Sequence, residues 1–165
     1  SNLRQIGLAV IMYAQDYEDY LPVKWTPVAN ISYLQRLAAY VDPNLTYWDP
    51  VLKNVVYQCP SNTKDVLEFF AANGYGTNYT VNHDITDSST PTMKLSQITE
   101  HGKTFFMADG YGNPSTWSIG VINSTVGWIH SEGANFLLLD GHVKWLKQQG
   151  IGDEIANHNN GEDLW

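Results

Sequence analysis

The chain has 165 residues and a mass of 18.6 kDa, a length typical of one domain that buries a core without disulfide staples. Hydrophobic residues make up 43% of it and charged residues only 16%, which excludes a disordered polar tail. Nine basic and 17 acidic residues give a formal net charge of −8, which argues against nucleic-acid binding because phosphates are bound through lysine and arginine.

The first predicted element is an amphipathic helix over residues 2–18, where apolar residues recur at helical spacing. It should end before Leu21-Pro22, because the residue before a proline avoids the helical conformation. Ser1 could cap this helix, or a longer helix could have been cut there, and the sequence leaves both alternatives open. A second helix is predicted over residues 31–41. No segment offers the roughly 20 apolar residues of a membrane span, and no signal peptide is visible.

The middle of the chain predicts little regular structure. Short strands are expected at residues 55–58 and 77–81, and an exposed polar loop at residues 82–92. Further strands are expected at residues 104–108 and, more weakly, at 117–122. The domain is accordingly divided into the first helix, a helix- and loop-rich variable region, an antiparallel sheet and a loose tail, at 1–20, 21–95, 96–149 and 150–165.

The clearest local pattern is a hairpin formed by residues 135–139 and 142–146 around Asp140-Gly141. Asp-Gly favours a two-residue type I′ turn, which would set Leu138 opposite Val143 and Phe136 opposite Trp145. Those four residues would form the core face, and the other face would carry Leu137, Leu139, His142 and Lys144. Helices followed by an antiparallel sheet predict an α+β domain.

Catalytic motifs such as Gly-x-Ser-x-Gly, a P-loop or GxGxxG are missing from the sequence, so we do not expect an enzyme. Cys59 is the only cysteine, and a buried apolar role is at least as good an interpretation as pairing with a partner outside the sequence.

Metal binding is the strongest chemical hypothesis from the residues themselves. Asp109-Gly110 and Asp140-Gly141 each follow an apolar strand, so Asp109, His130, Asp140 and His142 could converge on one sheet edge. Carboxylate and imidazole ligands suit zinc or another transition metal better than calcium. The preferred alternative is structural, with aspartates capping turns and His130 hydrogen-bonded, because no pair has a diagnostic spacing. A metal-dependent hydrolase would additionally need an open metal position beside a pocket.

Aromatic residues support a rival function, an extracytoplasmic glycan- or ligand-binding module. Six tryptophans and ten tyrosines could supply a stacking platform, although most are expected in the core. Two or more tryptophans facing solvent on one side would favour this rival.

Three blocks of sequence together resemble a known family. They are Asn2-Leu-Arg-Gln-Ile-Gly-Leu-Ala9, Tyr57-Gln-Cys-Pro-Ser61 with Gly74-Tyr-Gly-Thr-Asn78, and His130 followed nine residues later by Asp140-Gly141. The chain resembles the prepilin-type H-X9-DG family, which is similar to the major pseudopilins of type II secretion. The resemblance implies a type IV pilin-like fold and a structural subunit of a secretion or pilus-type assembly. It assigns no chemistry to His130, Asp140 or Gly141.

The resemblance also implies processing and partners that the residues do not show. Such proteins carry a leader removed by a prepilin peptidase, a methylated N-terminus and an apolar helix that anchors the subunit in the inner membrane. We therefore expect a longer natural chain exposed at the periplasm or exterior of the cell envelope, from which that helix has been removed. Its partners would be other pseudopilins, secretion components and secreted substrate. A structural divalent cation, and a cysteine upstream of residue 2 that pairs with Cys59, are further implications.

Overall fold

The computed structural model describes residues 2–23, 25–26, 31–45, 55–62, 79–86, 93–110 and 126–149. The helices there are α1 (Asn2–Asp16), α2 (Tyr33–Val41) and α3 (His83–Thr86). The strands are β1 (Trp25–Thr26), β2 (Ile31–Ser32), β3 (Tyr79–Val81), β4 (Phe105–Asp109), β5 (Gly133–Leu138) and β6 (Val143–Lys147). β1 and β2 pair with each other, and β3 to β6 form a four-stranded antiparallel sheet in chain order. The domain is α+β, as the sequence predicts.

Helix α1 packs one face on the large sheet and on α2. Its buried residues follow the predicted apolar stripe: Leu3, Ile6, Gly7, Ala9, Val10, Tyr13 and Ala14. Gly7 permits the closest approach, because a Cβ there would lie 2.6 Å from Leu137 Cδ1 and 3.4 Å from the Gly141 Cα. None of the helices in the described ranges combines the length and apolar character needed to cross a bilayer.

Both faces of the large sheet are covered. On the α1 side, Met107, Leu137 and Leu139 belong to a core shared with α1 and α2. On the opposite side, Phe105, Ala108, Phe136 and Leu138 pack with Val126 and Trp128. Phe105 and Phe136 meet edge to face, with ring centroids 5.7 Å apart. This cluster on the face opposite α1 forms a second core. Because both faces of the sheet are covered, β4 and most of β5 are buried continuously instead of alternating between buried and exposed residues.

The hairpin forms where predicted, but its register differs by one residue. Leu137, not Leu138, lies opposite Val143, and Asn135 lies opposite Trp145. The Gly141 amide donates to the Leu138 carbonyl at 3.0 Å, and Gly141 has a φ of +85°. These features define a three-residue loop, a type I turn followed by a left-handed residue, instead of the type I′ turn. Trp145 therefore shares a face with Asn135 and Leu137, and the predicted pairing of core residues across the hairpin is wrong.

Three segments of the variable region also differ from their predictions. Residues 31–32, predicted as the start of the second helix, form strand β2, and α2 begins at Tyr33. The strand expected at residues 55–58 is a short 3-10 helix, Val55–Tyr57, whose Tyr57 is buried beneath α1 and donates to the Leu34 carbonyl at 3.2 Å. Part of the expected loop at residues 82–92 is α3, where the Thr86 hydroxyl donates to the Asn82 carbonyl at 2.6 Å. The Ser1 cap, the strand at residues 117–122 and the tail at residues 150–165 lie outside the described residues.

Candidate metal centre

The Cys59 side chain is held by a β-turn beside the start of α1. The Asn62 amide donates to the Cys59 carbonyl at 3.0 Å, with Pro60 at the turn position that proline favours. The Asn62 side chain donates to the Gly110 carbonyl at 2.8 Å, which fixes the turn to the end of β4. The Asn2 side chain donates to the Gln58 carbonyl at 2.7 Å. These bonds bring the start of α1 next to Cys59, but pairing of this thiol with an upstream cysteine stays a prediction.

Asp109 is the last residue of β4, and its buried carboxylate lies close to the Cys59 side chain. Only 1% of its side chain is exposed. Its Oδ2 accepts hydrogen bonds from the Asn135 backbone amide at 2.7 Å and from the Asn135 side chain at 2.9 Å. Two donors from the neighbouring strand therefore orient this oxygen, which compensates part of the cost of burying its charge.

His130 is positioned by a tight turn at residues 130–133, which the sequence does not predict. Ser131 and Glu132 both have positive φ, 54° and 63°, and the amides and carbonyls of His130 and Gly133 bond reciprocally at 3.0 Å. This is the dihedral pattern of a type I′ turn, formed without the usual Asn-Gly or Asp-Gly. The indole N–H of Trp145 donates to the His130 carbonyl at 2.9 Å. The backbone of His130 is thus held from two sides.

Three potential ligand atoms converge at this point. His130 Nε2 lies 3.3 Å from Cys59 Sγ and 3.2 Å from Asp109 Oδ2. All three atoms lie within 4.8 Å of one another. The His130 side chain is 26% exposed, so one side of an otherwise buried cluster meets solvent. Sulfur, nitrogen and carboxylate oxygen together form a ligand set that suits a transition metal.

The same contacts do not form a nucleophilic triad. A catalytic base contacts its nucleophile through one ring nitrogen and its orienting carboxylate through the other. Here Nε2 contacts both Cys59 and Asp109. Burial and the nearby Asp109 charge raise the pKa of the Cys59 thiol, partly offset by the Ser61 and Asn62 amides. An activated cysteine has a lowered pKa, so the arrangement does not favour thiol catalysis.

The structure brings together two of the four residues predicted to converge. Asp109 and His130 are joined by Cys59, whereas Asp140 and His142 pair with each other at 3.0 Å beyond the other end of β5. The strands are neighbours but antiparallel, so Asp109 ends β4 beside the beginning of β5, and Asp140 follows the end of β5. Asp140 follows Asn135 by five positions along β5 and the start of the hairpin loop, a separation of up to about 17 Å for extended backbone. The expected four-residue site is therefore not formed.

Sequence reasoning did not place Cys59 in the site. Cys59 and Asp109 are 50 positions apart, and no local pattern links a Cys-Pro turn to a distant strand end. The sequence offered only one indication of the site: Cys59, Asp109 and His130, whose side chains can bind metals, each lie next to a predicted turn or strand end. The hydrogen bonds from Asn135 to Asp109 could not be predicted either, because they depend on the register between β4 and β5.

The Asp140–His142 pair gives a testable pH dependence. Burial opposes ionisation of Asp140, but the His142 amide and imidazole outweigh it and lower the carboxyl pKa below its ordinary value of 3.8. A lowered pKa contributes stability above the ordinary value and loses it as pH falls through the folded-state value. Asp140→Asn should cost less than about 1 kcal/mol near neutral pH, because the pair is largely exposed.

Urea unfolding of both proteins from about pH 6 down to about pH 2 would measure this effect. The difference in unfolding free energy should shrink as the pH falls. A difference that stays constant over this range would contradict the role given to the Asp140 charge. The Asn variant retains an acceptor for the His142 amide, which bonds Asp140 Oδ1 at 3.0 Å, so the comparison isolates the charge.

Comparisons with protein-family models, with curated proteins and with solved structures each found no match. The function is therefore inferred from the fold, from the exposed surface and from the resemblance of the sequence blocks to the H-X9-DG family.

Proposed function

We propose that this chain is a structural, pseudopilin-like subunit that acts by assembling with copies of itself through α1. The sequence blocks that resemble the H-X9-DG family are the first support. The second is the architecture, in which an N-terminal helix lies on an antiparallel sheet, as a type IV pilin-like fold requires. Assembly with secretion components, a location in the cell envelope and action without catalysis all belong to this proposal.

The observation that carries the proposal is the outer face of α1. Leu8 is 60% exposed and Met12, one turn later, is 41% exposed, although α1 already buries a complete apolar stripe. Arg4 lies about one turn before Leu8 and Asp16 about one turn after Met12, so opposite charges flank the two exposed apolar residues. When the α1 helices of two copies lie antiparallel, their exposed apolar residues meet and opposite charges face each other at both ends, so α1 can pair with α1 of a second copy. The net charge of −8 requires that such packing overcome repulsion between copies.

Disulfide crosslinking in the cell that makes the natural chain would test the assembly. Leu8→Cys and Met12→Cys, made separately, should each give disulfide-crosslinked dimers on oxidation, because each chain then carries one exposed thiol. Lys144→Cys is the control, because this exposed position lies on β6, on the sheet face opposite α1. Cys59 is buried and is unchanged in all three proteins. Equal crosslinking of the control, or monomer from both α1 variants, would contradict the proposal.

The ligand-binding alternative gains no specific support. Trp145 is 47% exposed, whereas Trp128 is half-buried and packs beside Phe136 on the other face of the sheet. Among the tryptophan side chains that the structure describes, no two therefore face solvent on one side. The other four tryptophan side chains lie outside the described residues.

A further inference from the structure

We infer that Cys59, Asp109 and His130 form a binding site for one divalent transition-metal ion of the zinc class. The site is independent of the proposed assembly through α1. It joins three segments that are distant in sequence: the Cys59 turn, the end of β4 and the turn before β5. The ion would bind to the thiolate, one carboxylate oxygen and Nε2 of a neutral imidazole.

Two of the three distances between the donor atoms are close to those around a tetrahedral ion, and the third is within 4.8 Å. With metal–ligand bonds of about 2.0–2.3 Å, neighbouring ligand atoms in a tetrahedron are separated by about 3.3–3.6 Å. The contacts from His130 Nε2 to Cys59 Sγ and Asp109 Oδ2 are 3.3 and 3.2 Å. Small side-chain movements would therefore complete the coordination. Three protein ligands leave the fourth position to water or to a further ligand.

Charge balance selects a divalent ion. Cys59 and Asp109 are buried, and as thiolate and carboxylate they carry two negative charges. A divalent cation with a neutral histidine makes the site neutral, which removes the cost of burying like charges side by side. On binding, the S–H bond of Cys59 breaks, Sγ bonds to the metal and the proton passes to solvent. The thiolate and imidazole ligands disfavour calcium and magnesium, which prefer oxygen.

The surroundings of the three ligands already have the polar support that metal ligands need. The turn that carries Cys59 is closed by the Asn62 amide, which donates to the Cys59 carbonyl at 3.0 Å. Asn135 holds the Asp109 carboxylate through two hydrogen bonds. Trp145 holds the His130 backbone through its indole N–H. Outer hydrogen bonds of this kind orient ligands, and their loss typically weakens metal binding by about 10–100-fold.

Titration of the reduced, chelator-treated protein with Zn²⁺ would test the site. Calorimetry should give one equivalent bound per chain, and Tm should rise by roughly 5 °C or more at saturation. Co²⁺ used as a spectroscopic probe should give a thiolate-to-cobalt charge-transfer band and the intense visible bands of tetrahedral coordination. Absence of stoichiometric binding to the reduced wild-type protein would overturn the proposal.

Variants separate this site from adventitious binding at other histidines. Cys59→Ser is close to isosteric, and it should abolish the charge-transfer band and weaken Zn²⁺ binding by more than about 100-fold. Asn135→Ala, which keeps all three ligands, should weaken binding by about 10–100-fold. The matched controls are Asp140→Asn and His142→Ala, which remove the other Asp–His pair and should leave affinity unchanged.

Two outcomes in the variant series would also overturn the proposal. One is wild-type affinity in Cys59→Ser, and the other is a loss in the Asp140 or His142 variants as large as that in Cys59→Ser. Circular dichroism and Tm with chelator present would verify that each variant is folded before titration. The Co²⁺ spectrum of Asn135→Ala should keep its thiolate band at high metal concentration, which a variant with a collapsed site would not do.

Discussion

Replacing Asp109 by alanine should lower the unfolding free energy of the metal-free protein by about 3 kcal/mol. The Asp109 carboxylate accepts from both the backbone and the side chain of Asn135 inside a buried strand pair. Without it, two partly buried donors lose their acceptor, at about 1–3 kcal/mol each, offset in part by relief of the buried Asp109 charge. Denaturant unfolding in the presence of a chelator would give the difference, and Tm should fall by roughly 6–12 °C.

The comparison variant for this position is Asp109→Asn. Its amide oxygen can still accept from Asn135, so the expected cost is only about 1 kcal/mol. If both variants lost equal stability, the charge rather than the hydrogen bonds would be the important property. A loss below about 0.5 kcal/mol in Asp109→Ala would show that solvent replaces the carboxylate, contrary to the burial of this side chain.

Phe136→Ala should lower the unfolding free energy by about 3–5 kcal/mol, the upper range for truncation of a buried side chain. Phe136 is fully buried at the centre of the sheet face opposite α1, where it contacts the rings of Phe105 and Trp128. Truncation removes both ring contacts and leaves a cavity that the rigid neighbouring strands cannot close. Chemical denaturation monitored by circular dichroism would measure the effect.

Two controls locate that effect in the second core. Phe136→Leu retains most of the apolar volume and should cost about 1.5 kcal/mol. Lys144→Ala, at the exposed position directly across the hairpin, should change stability by less than about 0.5 kcal/mol. A small loss in Phe136→Ala would mean that this face of the sheet contributes little, and the idea of two covered faces would fail.

The local elements of this fold could be predicted from sequence because their signals are local. The apolar stripe of α1 gave its buried face, and Asp140-Gly141 gave the position of the hairpin loop. The loop type could not be deduced, because Asp-Gly fits both a two-residue turn and a type I turn followed by a left-handed glycine. That choice shifted the register, which reassigned Trp145 from the predicted core face to the face of Asn135.

The candidate site depends on long-range geometry, and the sequence predicted two of its three residues as ligands. Asp109 and His130 were recognisable as potential ligands, but strand direction decided which partner each would meet. Asp140 lies away from the site because β4 and β5 are antiparallel, so Asp109 at the end of β4 and Asp140 after the end of β5 are at opposite ends of the sheet. Cys59 is brought to the site by hydrogen bonds of its neighbours: the Asn62 side chain donates to the Gly110 carbonyl, and the Asn2 side chain donates to the Gln58 carbonyl. No sequence spacing encodes these contacts. The turn at Ser131 and Glu132 could not be predicted either, because non-glycine residues rarely adopt the positive φ that both have here.

The wide sequence separation of the three ligand residues has a consequence for folding kinetics. Cys59 and Asp109 are 50 positions apart, and His130 follows Asp109 by 21 positions. Contacts that close such long loops carry a larger entropic cost than local ones, so we expect them to form after the β5–β6 hairpin and the first turns of α1. An ion at this centre would therefore bind the nearly completed fold and would chiefly slow its unfolding, so that its effect would be measured in the lifetime of the native state rather than in the rate of folding.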